Sequence, residues 1–206
     1  FNQWNMIKRY NSKILVCGID EAGRGALSGP VTISSVILPK NYYNPEIKDS
    51  KKLSYLKRKK LFDEIKNVAL DYVIVDVDNN KIDNVNILNA TFFGMNKSIK
   101  KLNLSADIYL IDGNRFRTKM KLNYRCIIGG DNLYQSIAAA SILSKVHRDK
   151  YMAKIGKRYP QFDWVNNKGY GTKKHIDSIK KYGYTMYHRN TFKIKGKQLS
   201  LEIWVF

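Results

Sequence analysis

An α/β fold built on one mixed sheet is the architecture this sequence predicts, and three observations predict it. Short apolar runs rich in β-branched residues recur along the chain, the first two are joined by a hairpin-like link, and helical apolar spacing alternates with the later ones. No internal repeat and no low-complexity linker interrupts the pattern.

The run ILVCGID, Ile14 to Asp20, is apolar at successive positions, which suits a central strand covered on both faces. A turn at Gly29-Pro30 leads into a second strand, TISSVILP, Thr32 to Pro39. Ser54 can cap a helix in which Leu61, Ile65, Val68 and Ala69 share one face, leaving Lys57 to Lys60 in solvent. DYVIVDV is a third strand. From Val85 to Leu102, Leu88, Phe92, Met95, Ile99 and Leu102 step by four and three, the spacing of an amphipathic helix. ADIYLID, Ala106 to Asp112, and NYRCIIGG, Asn123 to Gly130, complete the strands. Tyr134 to Tyr159 reads as a long helix whose Ala138-Ala139-Ala140-Ser141 stretch permits close packing, and a short helix follows around His175 to Tyr182.

Charge narrows the partners. Lys and Arg number 37 against 17 Asp and Glu, a formal net charge of +20 spread over 206 residues, which favours a polyanion such as nucleic acid or an anionic membrane surface. A Lys-, Asn-, Ile- and Tyr-rich chain also follows from an AT-rich coding sequence, so charge alone does not decide. Cys17 and Cys126 lie in separate apolar segments without a second Cys or His at ligand spacing, so neither a disulfide framework nor a zinc site is suggested and buried reduced thiols are expected. No apolar stretch reaches membrane-span length, and FNQWNMIKRYN lacks an apolar signal region, so a cytoplasmic, soluble protein without a membrane partner is expected.

Against this basic background the acids stand out. Asp20 and Asp112 each close an apolar strand and each precede glycine-bearing turns, DEAGRG and DGN. An acid at the end of a central strand is costly unless it meets donors or a cation. A single one would be read as a cap; two, with Glu21 adjacent and Asp131 following the fifth strand, favour a cluster. Oxygen ligands without His or Cys suit Mg²⁺ or Mn²⁺. Carboxylate-held divalent ions and a basic surface are together what phosphodiester hydrolysis requires.

CGIDEAGRGALSGPV, DSKKLS, YLIDGN, GGD with SIAAASILSKVHRD, GYGTKKH and HRNTF resemble bacterial ribonuclease HII in order and spacing, from about Ile14 to Phe192. The resemblance implies a ribonuclease H-like fold, a five-stranded mixed sheet flanked by helices with a small helical C-terminal extension. Residues 1–160 would form the catalytic core and 161–206 the substrate-contacting region and tail of the same globular unit. It implies an endonuclease acting on RNA/DNA hybrid and on ribonucleotide-containing duplex DNA, with two divalent ions, Mn²⁺ or Mg²⁺, at Asp20, Glu21, Asp112 and Asp131. Asp149, between Arg148 and Lys150, is the rival for the fourth acid but reads as a salt-bridged structural residue.

Telling RNA from DNA requires reading the 2′-hydroxyl. Backbone can approach a sugar where side chains are absent, so Gly23, Arg24 and Gly25 are a sensible reader, and the family places a tyrosine matching Tyr170 on the sugar at the RNA-to-DNA junction. Ser50, Lys51 and Lys145, then Lys52 and Arg148, are candidates for phosphate contact. His175 and His188 read as structural or substrate-edge groups. The chain departs from the family pattern at Ala26, Gly129, Ser144 and in HRNTF, and Gly129 forgoes one phosphate contact. Monomeric action is expected. Gln198 to Leu201 resembles the start of a sliding-clamp-binding peptide, but Glu202 occupies the next expected apolar position, so clamp contact would be weak. A non-catalytic hybrid-binding protein and another metal-dependent nuclease of the same fold are the rival readings.

Overall fold

The computed structural model describes residues 7–194. Its elements in chain order are β1 (Val16–Ala22), β2 (Val31–Ile37), α1 (Tyr55–Val68), β3 (Asp71–Val77), α2 (Asn79–Lys100), β4 (Ile108–Asp112), β5 (Tyr124–Ile127), α3 (Gln135–Gly156), α4 (Trp164–Asn167) and α5 (Lys173–Tyr182). The five strands form one sheet in the order β3-β2-β1-β4-β5, antiparallel across β3-β2-β1 and parallel across β1-β4-β5. Among the described residues no helix is long and apolar enough to cross a membrane.

Strand period divides the core. Cys17 and Ile19 pack toward α2, together with Ile33, Val75, Phe92 and Met95. On the other face α1 and α3 cover the sheet through Leu61, Ile65, Ala139, Ile142 and Leu143. The small residues of α3 matter here: a Cβ on Gly18 would lie 2.0 Å from the Ser136 carbonyl carbon, so this strand and helix touch backbone to backbone. A third cluster, Met152, Ile155, Phe162, Trp164 and Ile179, joins the end of α3 to α4 and α5.

Several element ends differ from the sequence expectation: β5 stops at Ile127 rather than Gly130 and α3 at Gly156 rather than Tyr159, and two further differences bear on the site and its neighbour α2. β1 does not stop at Asp20: parallel pairing with β4 ends at Ile19↔Ile111, but antiparallel pairing with β2 continues through Asp20↔Ser34, Glu21↔Ile33 and Ala22↔Thr32. The acids therefore sit in a strand paired on one side only, where the sheet opens. The helix expected from Val85 begins at Asn79, capped by Asp78 through the Lys81 amide at 2.7 Å, and is broken at Asn86, whose φ is 66°. The Asn86 side chain accepts from the Asn89 amide at 3.0 Å and restarts the helix. Apolar spacing marks only the segment after this break. The clamp-like stretch Gln198 to Leu201 lies outside the described residues.

Candidate active site

Register brings the acids together. Because β1 and β4 run parallel with Ile19 beside Ile111, Asp20 and Asp112 follow on adjacent strands, on the face that carries α3. Glu21 alternates to the α2 face. Asp131 arrives from the turn after β5, where Gly129 takes a left-handed φ of 63° and Gly130 opens a short 3₁₀ turn.

Each carboxylate has one oxygen committed to a local donor. Asp20 Oδ1 accepts from the Glu21 amide at 2.7 Å, and Asp112 Oδ1 from the Gly130 amide at 2.8 Å. Glu21 Oε1 accepts from Arg24 at 3.3 Å, and Asp131 Oδ1 from the Asn132 amide group at 3.0 Å. Glu21 Oε2 is buried without a partner. Among the described residues no three His, Cys, Asp or Glu side chains are arranged to hold a metal ion as they stand.

The electrostatics report the same strain. Burial, then Glu21 and Asp112, push the Asp20 carboxyl well above its ordinary range, with Ser141 and the Glu21 amide opposing. Burial also raises Glu21, partly offset by Arg24, and raises Asp131, to which Asp112 and Asp49 add. Partial burial pulls Lys51 down, but Asp131, Asp49, Asp20 and Asp112 outweigh it and raise its affinity for its proton. Its ammonium stands 4.0 Å from Asp131 while the side chain is 80% exposed. The cleft, of about 480 Å³, is lined by Asp20, Glu21 and Asp112 with the Gly23–Gly25 loop, Ser50, Lys51, Lys145 and Tyr170; Asp131 lies outside this lining.

The ribonuclease HII family model matches residues 17–195. The chain belongs to the ribonuclease HII family. Ribonuclease HII of Christiangramia forsetii is 46% identical over 197 residues, 96% of this chain and 100% of that protein. The Endomicrobium trichonymphae ribonuclease HII is 52% identical over 177 residues, 86% of this chain and 84% of that one. In fold, the chain resembles ribonuclease H2 of Pyrococcus horikoshii OT3, with TM-score 0.74 and 24% identity over 87% of this chain and 94% of that one. It also resembles the structure of the PCNA:RNase HII complex from Archaeoglobus fulgidus, with TM-score 0.73 and 23% identity over 90% and 98%. The activity of a ribonuclease HII is that of an endoribonuclease of the ribonuclease H type.

The other site residues expected from the sequence surround this cleft or lie beneath it. Ser50 is buried, its hydroxyl 3.0 Å from that of Ser141. Lys145 pairs with Asp149 at 2.7 Å and stands over the Tyr170 ring. Lys52 donates to Asn132 rather than standing free. Arg148 cannot meet a phosphate: it is 0% exposed and donates to the carbonyls of Ser28, Pro30 and Lys168. Burial lowers its affinity for its proton.

Sequence reasoning missed Arg189. This side chain, 1% exposed, donates to the carbonyls of Gly23, Arg24 and Gly29 at 2.8–3.0 Å, so it pins the Gly23–Gly25 loop from beneath. Burial first, then Arg148, pulls its pKa down to about 9. Gly23 has a φ of 92°, and a Cβ there would lie 2.0 Å from Arg148 Nε, so both conformation and space demand glycine. The only sequence signal was an arginine inside the HRNTF block. His175 and His188 are interior groups. His175 Nδ1 donates to the Tyr170 carbonyl at 2.9 Å, so its Nε2 is the acceptor for Trp164 at 2.9 Å and for His188 at 3.2 Å. Both rings are neutral, and this network ties the Tyr170 loop to the arginine-held core.

Proposed function

We propose that this ribonuclease HII hydrolyses the RNA strand of RNA/DNA hybrids and cuts on the 5′ side of single ribonucleotides embedded in duplex DNA, leaving a 3′-hydroxyl and a 5′-phosphate. One observation carries the reading: three carboxylates, Asp20, Glu21 and Asp112, each anchored through one oxygen, line a cleft shared with a buried-arginine-held glycine loop, and Asp131 stands behind Lys51 at its edge. The uncommitted oxygens, the orphaned Glu21 Oε2 above all, and the raised proton affinities fit a site that gains stability from cations. Asp20, Glu21, Asp112 and Asp131 would hold Mg²⁺ or Mn²⁺, two ions per site. Bound there, such ions supply activation of water and stabilisation of the leaving oxygen.

The chain's own residues do the rest. Arg24, Lys51 and Lys145 attract and orient phosphates, with Ser50 backing the wall beside Lys51. The backbone of Gly23 and Gly25 meets the 2′-hydroxyl, and Gly25 has open space around it. Tyr170, over which Lys145 and Arg148 stand at 5.9 and 5.4 Å, packs on the sugar of the following nucleotide. The enzyme would act as a cytoplasmic monomer, with a weak sliding-clamp contact through its tail as a secondary element, tested by pull-down after deleting Gln198 to Phe206.

The test is cleavage-site mapping on duplexes with one ribonucleotide or a four-ribonucleotide stretch, in Mg²⁺ and in Mn²⁺. Cutting 5′ of the single ribonucleotide is expected. Cleavage of the longer stretch alone would reassign the enzyme to the sister type that requires longer hybrids.

A further inference from the structure

A second cleft, of about 300 Å³, adjoins the first and shares Glu21, Arg24 and Asp112 as the dividing wall. Its floor is one face of α2, Leu88, Thr91, Phe92 and Met95, at helical spacing of three and four. Its rim is Asn114 and Arg115, from the turn that follows Asp112.

Three features suit it to a nucleotide. The floor is apolar apart from Thr91, whose hydroxyl donates to the Ile87 carbonyl at 2.8 Å. Arg115 is exposed and begins the run RFRTKMK, in which Arg117, Lys119 and Lys121 follow. Among the described residues none of these four cations is in a salt bridge, so their charge is uncompensated, and Arg115 brings it to the cleft itself.

We propose that this second cleft receives the nucleotide on the 5′ side of the cut, with its sugar or base against Leu88, Phe92 and Met95 and its phosphate on Arg115. The assignment rests on the reading given under Proposed function. There, the strand runs 5′ to 3′ from the carboxylates past the Gly23–Gly25 loop to Tyr170. Whatever precedes the scissile phosphate must then lie across the dividing wall, away from Tyr170. A largely apolar floor accepts a deoxynucleotide without loss, whereas the first cleft inspects the sugar. The first cleft thus reads the sugar on the 3′ side of the scissile phosphate, and the second holds the nucleotide on its 5′ side without requiring a ribose.

The experiment compares wild type with Arg115→Ala on single-ribonucleotide duplexes whose labelled strand has a long or a minimal deoxynucleotide stretch 5′ of the ribonucleotide. On the long substrate the variant is expected to lose about five- to tenfold in kcat/KM, mostly through KM, and its metal-free binding should show a salt slope smaller by about one. On the minimal substrate the loss should shrink toward none. An equal loss on both, a loss that tracks shortening of the 3′ side, or an unchanged salt slope would overturn the proposal. Wild-type cut positions in the same series keep the two ideas apart. No cut at the single ribonucleotide refutes the ribose reading and this proposal with it, while a correct cut with no dependence on Arg115 refutes the second cleft alone.

Discussion

Among the clustered carboxylates, Asp20, Glu21 and Asp131 bind their protons more tightly than free acids do, and Glu21 Oε2 is buried without a partner. Under the same glycine loop, Arg148 and Arg189 are just as far from water, yet each directs three donor nitrogens at backbone carbonyls. The first region stores repulsion that a ligand can relieve. The second has spent its charge on geometry, and what it holds still is the loop on which the first region borders. Burial of charge alone therefore does not mark a functional site; incomplete pairing does.

The sharpest way to break this comparison is Asp20→Asn. Cleavage should fall by a factor on the order of a thousand or more, while hybrid binding stays largely intact and metal-free thermal stability is unchanged or raised, because a repelling charge has been removed. Retained turnover with metal present would dismiss Asp20 from the chemistry. Arg189→Ala should do the reverse, costing on the order of 3 kcal/mol in denaturant unfolding by orphaning three carbonyls. Arg189→Lys should recover little of it, since one ammonium cannot reach all three.

A smaller effect is expected of Gly23→Ala. A methyl group 2.0 Å from Arg148 Nε, on a backbone with φ of 92°, should cost roughly 1–3 kcal/mol. It should also narrow the ratio of cleavage rates between single-ribonucleotide and longer hybrid substrates, and an unchanged ratio would remove the loop from ribose reading.

The smallest effect is in the pH dependence of metal-free stability. Burial, then His175, pulls His188 from 6.5 down to about 3, so the unfolded chain takes up this proton first. The stability its neutral ring contributes is intact above 6.5 and is lost as pH falls from there toward 3. The carboxylates have the opposite sign: their folded proton affinities are raised, so acid relieves their repulsion. Asp20→Asn, lacking part of that relief, should lose more stability than wild type between neutral and mildly acid pH in denaturant titrations. Parallel profiles would mean that the Asp20 repulsion is not stored in the folded state.

Much of this was legible in one dimension. The strand at Ile108–Asp112 and the helices α1, α3 and α5 were readable because apolar spacing and caps such as Ser54, which accepts from the Lys57 amide at 3.3 Å, are local signals. Asp20, Glu21, Asp112 and Asp131 were legible as candidates because acids at strand ends are costly in a basic chain. The end of β1 was misjudged because polar residues are poor strand formers by themselves. Pairing with β2 on one side was enough to carry the strand through them.

By itself, then, the sequence determined the order of elements, the excess of positive charge, the identity of the acids and the family to which the chain belongs. Only tertiary structure decided that Asp20 and Glu21 face opposite sides of the sheet, that a second cleft opens on the α2 side, and that Arg148 turns inward while Lys51 stays out. The reason is physical. Apolar periodicity is written in side chains a few residues apart, but Arg189 is held by carbonyls 160–166 residues away in sequence. Every residue type carries the same carbonyl, so such a bond leaves no trace in the chain until the fold brings its ends together.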